Sequence, residues 1–305
     1  MFLHWKKRKP SQRRVLVIGP TNAGKTTILG ALSVASKYAD RFGASIKCLN
    51  DPMREIAKDA EQGLGQLQSS LDATTSVTEY SFMLENRNTG FCTTIAEGDY
   101  RQAIFTVLDG PGGALMRDPQ MDGADAWGGH EEDGIRKTIL EKAAQSEAIV
   151  LCVDSVDEQT TGTFFVSLIR CLHDLGEPLP FRRFVVLLTK ADRFFADYGA
   201  KAHGRAANMN PWPRAWRLLS KHATAQLWGH CDPRVTELSC GWISAYGFSP
   251  TDGQKSRSYD QTHWLDAPEN RRIDRWRPFN LFDPFVYLSD GGSDSLWIHR
   301  NYRRT

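Results

Sequence analysis

The chain has 305 residues, of which 41% are hydrophobic and 24% charged, with a formal net charge of +2. That length and composition suit a soluble globular protein with a large core. They exclude a strongly basic nucleic-acid binder and a strongly acidic tail protein, and no apolar run approaches the ~20 residues that would cross a bilayer.

Met1–Arg14 is rich in Lys and Arg and has no apolar stretch, so no secretory signal is expected. Residues 1–12 read as a flexible basic tail. The alternative for Lys6–Arg14 is an arm for peripheral membrane or nucleic-acid contact. Val15–Ile18 is a short apolar, mostly β-branched run, which predicts a strand over Arg13–Gly19 buried on both faces. Gly19-Pro20-Thr21-Asn22-Ala23-Gly24-Lys25-Thr26 follows at once and fits G-x-x-x-x-G-K-[ST] without departure. A helix over Gly24–Tyr38 comes next. Strand, glycine-bounded loop and helix form the context that makes this pattern a phosphate site. The glycines let the backbone N–H groups turn toward phosphate oxygens. The helix N-terminus adds the positive end of its dipole. Lys25 is a point charge for the outer phosphates, and the Thr26 hydroxyl suits Mg²⁺.

Pro52–Leu71 places Ile56, Ala60, Leu64, Leu67 and Leu71 at helical spacing, the mark of a packing face. Asp72–Thr78 is polar. Glu79–Leu84 predicts a strand, Glu85–Gly90 a turn, and Phe91–Ile95 an extension of a hairpin. Tyr100–Leu108 is an apolar strand ending in Asp109-Gly110-Pro111-Gly112-Gly113. A carboxylate here suits Mg²⁺, and the Gly112 N–H suits a γ-phosphate. Leu115–Gly134 lacks periodicity and reads as a long loop, followed by a helix over Gly134–Gln145. Ala148–Val153 is a strand ending at Asp154, and Thr163–Leu175 a helix. Phe184–Leu188 is a strand ending in Thr189-Lys190-Ala191-Asp192. A carboxylate there can accept two N–H bonds from guanine, which adenine cannot offer. Residues 194–233 read as an irregular insertion with one helix, Ala215–Trp228. Arg234–Ser244 is a last strand, leading into Ser244-Ala245-Tyr246. Residues 249–277 read as an inserted surface loop, Asn280–Leu288 as a short closing helix, and 289–305 as a tail with Trp297 and Tyr302 as anchors.

Six cysteines occur, none in C-x-x-C, which predicts reduced buried thiols in a cytoplasmic protein. His230, Cys231 and Cys240 do not have the spacing of a known metal site. Strands alternating with helices predict an α/β domain of three layers around a mainly parallel sheet. Ligands bind such sheets at the carboxyl ends of the strands, where all these polar stretches fall.

Together and in order, these stretches resemble the signature elements of P-loop GTPases of the Ras-like and Era-like type. The resemblance runs from about Arg13 to Leu288, with surface insertions at about 194–233 and 249–277. A looser likeness joins it to bacterial GTPases of the double-GTPase type. The resemblance implies that Gly19, Asn22, Ala23, Gly24, Lys25, Thr26 and Thr27 hold the phosphates, and that Thr26 and Asp109 hold Mg²⁺. It implies that Thr74 or Thr75, with Gly112, senses the γ-phosphate. It implies that Thr189, Lys190, Asp192, Ser244 and Ala245 surround the base. GTP and Mg²⁺ are the implied ligands, and a protein partner or activator the implied company. The family's water-orienting glutamine would fall at Gly113, and Thr21 stands where Ras-like proteins keep glycine. The expected function is therefore slow, Mg²⁺-dependent GTP hydrolysis that switches loops 72–79 and 110–134. The alternatives are a non-hydrolysing nucleotide-dependent interaction module, and a P-loop ATPase or kinase.

Overall fold

The computed structural model describes residues 11–38, 43–66, 78–86, 101–109, 129–173, 183–219, 237–248, 276, 278–290, 293 and 295–298. The elements in order begin with β1 (Ser11–Ile18), α1 (Lys25–Ala35) and a 3₁₀ turn at Ser36–Tyr38, then β2 (Ala44–Cys48) and α2 (Asp51–Gln66). β3 (Thr78–Asn86), β4 (Arg101–Asp109), α3 (Gly129–Ala144), β5 (Ala148–Asp154) and α4 (Glu158–His173) follow. The second half holds β6 (Arg183–Thr189), α5 (Ala191–Phe194), a 3₁₀ turn (Ala196–Lys201), α6 (Ala202–Asn208), α7 (Trp212–Leu219), β7 (Glu237–Trp242), α8 (Asp283–Asp290) and β8 (Trp297–Ile298).

One 8-stranded sheet has the order β2-β3-β4-β1-β5-β6-β7-β8. Strands β4, β1, β5, β6 and β7 run parallel. β3 joins β4 antiparallel, β2 joins β3 antiparallel, and β8 joins β7 antiparallel. The expected α/β fold with a mainly parallel sheet is what the chain adopts.

Side-chain alternation builds the layers. Leu16 and Ile18 of β1, with Ile149, Leu151 and Val153 of β5, face one core with Ile139 of α3, Phe164 and Leu168 of α4, and Leu218 of α7. Val15 and Val17, with Val150 and Cys152, face the other core with Leu29 and Leu32 of α1, Met53 and Ile56 of α2, and Phe285 of α8. A period of two buried on both sides is why these strands read as solid apolar runs. Phe285 meets the rings of Phe82 and Phe105 edge-on, at 5.5 and 5.6 Å between centroids, which docks the closing helix on β3 and β4.

Several boundaries differ from expectation. β1 begins at Ser11, inside the stretch assigned to the tail. β2 was not expected: it is an edge strand, half-exposed along most of its length, so its pattern is faint. α3 begins at Gly129, where the sequence read as loop up to Gly134. α4 begins at Glu158 rather than Thr163, with Asp157 Oδ1 accepting the Thr160 N–H as a cap. Residues 191–219, read as largely irregular from Phe194, are mostly short helices. α7 starts at Trp212, because a proline in the first helical turn loses only an N–H that has no partner there. Trp297 and Ile298, read as tail, pair with Cys240 and Ser239. The hairpin extension Phe91–Ile95 lies outside the described residues. Among the described residues no helix is long and apolar enough to cross a membrane. Cys48, Cys152 and Cys240 are free thiols.

Candidate functional site

The loop after β1 is shaped by two glycines for different reasons. A Cβ on Gly19 would lie 2.2 Å from the Cys152 carbonyl oxygen, so the loop crosses β5 where only glycine fits. Gly24 has open space around it but adopts φ 78°, the left-handed region that side chains avoid. Asn22 is also left-handed, at φ 65°. The Ala23 N–H donates to the Pro20 carbonyl at 3.2 Å and closes the turn. α1 then starts on Gly24, with no side chain capping it, so its first N–H groups face the loop.

Lys25 is 6% exposed and folds back over this loop. Its ammonium donates to the carbonyls of Gly19 and Pro20, both at 3.0 Å. Burial pushes its pKa down, while the charge of Asp109 pulls the other way. A buried cation held this way favours an anion arriving at the loop, since the anion would restore the lost solvation.

Thr26 donates its hydroxyl hydrogen to Asp109 Oδ2 at 2.5 Å. Asp109 is the last residue of β4, wholly buried, and in register with Val17 of β1 and Thr78 of β3. Two hard oxygen ligands from different elements therefore meet beside Lys25. That donor set fits Mg²⁺, which takes one or two protein oxygens and completes its shell with phosphates and water. Thr27 stands half-buried in the same first helical turn.

The other half of the site lies at the ends of β5, β6 and β7. Lys190 follows β6 in the left-handed conformation, φ 54° and ψ 38°. Such a backbone costs a lysine about 1 kcal/mol and persists only where its surroundings hold it. Its ammonium pairs with Asp154 Oδ2 at 2.7 Å. Thr189 donates its hydroxyl to the Val153 carbonyl at 3.0 Å. Asp192 is 3% exposed, and the Ser244 hydroxyl donates to its Oδ1. Burial raises the Asp192 carboxyl to about 6, against the lowering effect of that hydrogen bond. The Gly247 N–H donates to Ser244 Oγ at 2.8 Å, and Ser244 exchanges backbone bonds with Phe279. The Ala245 carbonyl accepts the Trp276 indole N–H at 2.9 Å.

β1 and β6 are separated only by β5, so the carboxyl ends of the two strands, which lead into the Lys25 loop and the Lys190 turn, lie roughly 10 Å apart. The structure thus brings Gly19, Asn22, Ala23, Gly24, Lys25, Thr26, Thr27 and Asp109 to one place, and Thr189, Lys190, Asp192, Ser244 and Ala245 to another beside it. Thr74, Thr75 and Gly112 lie outside the described residues. Asp154, expected only as the end of a strand, pairs with Lys190. Its signal was an acidic residue closing an apolar strand, and its partner is 36 residues away.

No protein-family profile and no curated protein sequence matches the chain. Among solved structures it is similar to a crystal structure of sup35 complexed with GDP, with 12% identity and a TM-score of 0.36. That match covers 88% of this chain and 47% of the other, so the chain spans about half the length of the structure it matches.

Proposed function

We propose that this chain binds a guanine nucleotide with Mg²⁺ and hydrolyses GTP slowly, using the γ-phosphate to switch loops 72–79 and 110–134. Asp192 carries the proposal. Its carboxylate is buried, held by Ser244, and placed on the same sheet edge as the Lys25 loop. A carboxylate at that position accepts N–H donors from a base, and guanine offers two side by side. The aliphatic stem of Lys190, anchored at Asp154, would flank the ring.

The phosphates would lie on the Gly19–Thr26 loop. Their charge would draw the Lys25 ammonium off the Gly19 and Pro20 carbonyls. Bound Mg²⁺ would neutralise phosphate charge, with Thr26 and Asp109 as its protein ligands. In hydrolysis, a water oxygen bonds to the γ-phosphorus while the bond to the β–γ bridging oxygen breaks, leaving GDP and inorganic phosphate. Lys25 and the loop N–H groups meet the charge that develops on the leaving oxygen. Gly113 offers no side chain to orient the water, so a partner, a second copy or another loop would supply that group. The resemblance supports Thr74 or Thr75 and Gly112 as γ-phosphate sensors, and the pairing of Thr78 with Asp109 supports a β3 whose leading end starts beside the phosphates. The free thiols support a cytoplasmic setting.

Base choice tests the proposal. Wild type should bind GDP and GTP far more tightly than ADP and ATP. Asp192→Asn should weaken guanine binding and favour xanthine nucleotides, whose C2 oxygen accepts from the new amide. Equal affinity of wild type for ATP and GTP would overturn the guanine assignment. Unchanged affinity in Lys25→Ala would overturn the phosphate assignment.

A further inference from the structure

Arg214 lies on α7 and touches residues that follow β5 and the short helix that follows Lys190. Its Nε donates to the Ser155 carbonyl at 2.9 Å. Its Nη1 donates to Glu158 Oε1 at the start of α4. Its guanidinium lies over the Phe194 ring, 5.1 Å from the centroid. The Arg214 side chain is 13% exposed, whereas its partner Glu158, at 46%, reaches into solvent.

Ser155 is the residue immediately after Asp154. Its N–H donates to the Thr189 carbonyl at 3.1 Å, and its hydroxyl donates to the Lys190 carbonyl at 3.3 Å. Phe194 closes the short helix that contains Asp192, and its N–H also donates to the Lys190 carbonyl, at 3.2 Å. Its ring stacks on Trp242, at 4.8 Å between centroids. Arg214 therefore contacts two of the residues that donate to the Lys190 carbonyl, which also accepts the Arg193 N–H at 2.9 Å. A left-handed lysine needs such over-determination, because its backbone does not prefer that conformation. A planar fork with several donors suits this task better than a flexible ammonium.

We propose that Arg214 is a positioning residue for base recognition: acting through Ser155 and Phe194, it holds Lys190 left-handed and Asp192 aligned with the base. The proposal rests on the guanine-binding assignment. It makes α7, within the stretch first read as an insertion, part of the specificity apparatus. Arg214 does not touch the nucleotide in this account. Its effect reaches the base only through the posture of the turn.

The test compares GDP with IDP, which lacks the exocyclic amine that an aligned Asp192 would accept from. Arg214→Met keeps the apolar stem and loses the donors. It should lower GDP affinity about tenfold, the scale of one charge-assisted hydrogen bond, and IDP affinity distinctly less. The GDP-to-IDP ratio should therefore shrink. Arg214→Lys can still donate to the Ser155 carbonyl and should recover part of the ratio. Ser155→Ala removes only the hydroxyl bond to Lys190, and should shift the ratio in the same direction by a smaller amount; it carries the test if Arg214→Met fails to fold. A lower melting temperature with an unchanged ratio would make Arg214 a packing residue and overturn the proposal. Wild type that binds neither GDP nor IDP would instead overturn the guanine assignment, and this proposal with it.

Discussion

Ser244 donates its hydroxyl to the buried carboxylate of Asp192, a residue 52 positions earlier in the chain. The bond ties the turn after β6 to the turn after β7, and it fixes the direction in which the carboxylate presents its remaining lone pairs. Ser244 is held in turn by the Gly247 N–H and by its backbone pairing with Phe279. Ser244→Ala removes the donor and leaves a buried carboxylate less well solvated. The carboxyl should then protonate more readily and present a poorer acceptor. The expected outcome is a loss of about tenfold in GDP affinity at neutral pH, read by calorimetry, with the fold retained.

Acidification gives a second expectation with opposite signs for binding and for folding. Burial raises the Asp192 carboxyl from 3.8 to about 6. The proposed guanine recognition needs the ionised form. GDP affinity should therefore hold at pH 7.5 and fall as pH drops below about 6, approaching tenfold per unit once the carboxyl is mostly protonated. The nucleotide-free fold behaves the other way. A group whose pKa is raised on folding contributes stability that is present at low pH and is lost as pH rises through the folded value. Relative to Asp192→Asn, the nucleotide-free wild type should gain stability as pH falls from 7 to 5. Denaturant melts of both proteins at the two pH values check the sign.

The parallel core strands were legible because burial on both faces leaves continuous apolar runs, as in Val15–Ile18 and Ala148–Val153. The glycine loop between β1 and α1 was legible because its glycines and lysine sit at fixed spacing after a strand. What escaped was set by tertiary contacts. β2 is an edge strand with Ser45 and Lys47 among its residues, so neither alternation nor hydrophobicity marked it. Asp154 and Lys190 meet because β5 and β6 pair in a register that sets Asp154 against Thr189, which spacing along the chain does not reveal. The helix expected over Ala215–Trp228 instead starts at Trp212, between Pro211 and Pro213, where Trp212 donates its indole N–H to the Trp297 carbonyl at 3.0 Å.

The two loop glycines should fail differently. Gly19→Ala drives a methyl into the Cys152 backbone, which belongs to a buried central strand and cannot step aside. It should cost about 1–3 kcal/mol of stability, as overpacking does, and displace the loop. Gly24→Ala meets no neighbour and suffers only its left-handed backbone, at about 1 kcal/mol. Denaturant unfolding of the nucleotide-free variants separates them. Equal losses, or a larger loss at Gly24, would show that the loop does not press on β5 as described.

Turnover should be slow. Ras-like hydrolysis, with a glutamine to orient the water, proceeds alone on the order of 10⁻⁴ per second. By the proposed resemblance the corresponding position is Gly113, so single-turnover hydrolysis by the isolated chain should fall near or below that scale. The proposed charge-stabilising groups are Lys25 and the loop amides, which would lower the barrier without aiming a nucleophile. An arginine supplied from outside can add on the order of 10³–10⁵ in rate, so a large acceleration by a partner or at high protein concentration is the natural complement. The switch has its own readout. Thr78, the first residue of β3, is in register with Asp109, a proposed Mg²⁺ ligand. A γ-phosphate should therefore raise amide protection across 72–79 and 110–134, and GDP should not. Hydrogen exchange in GDP and in a non-hydrolysable GTP analogue measures this. Equal protection in the two states would leave a nucleotide-binding module without a switch. Turnover of about one per second by the monomer would mean that this chain positions the water itself, and Arg117 and His130, in the stretch that follows Gly113, would be the first side chains to remove.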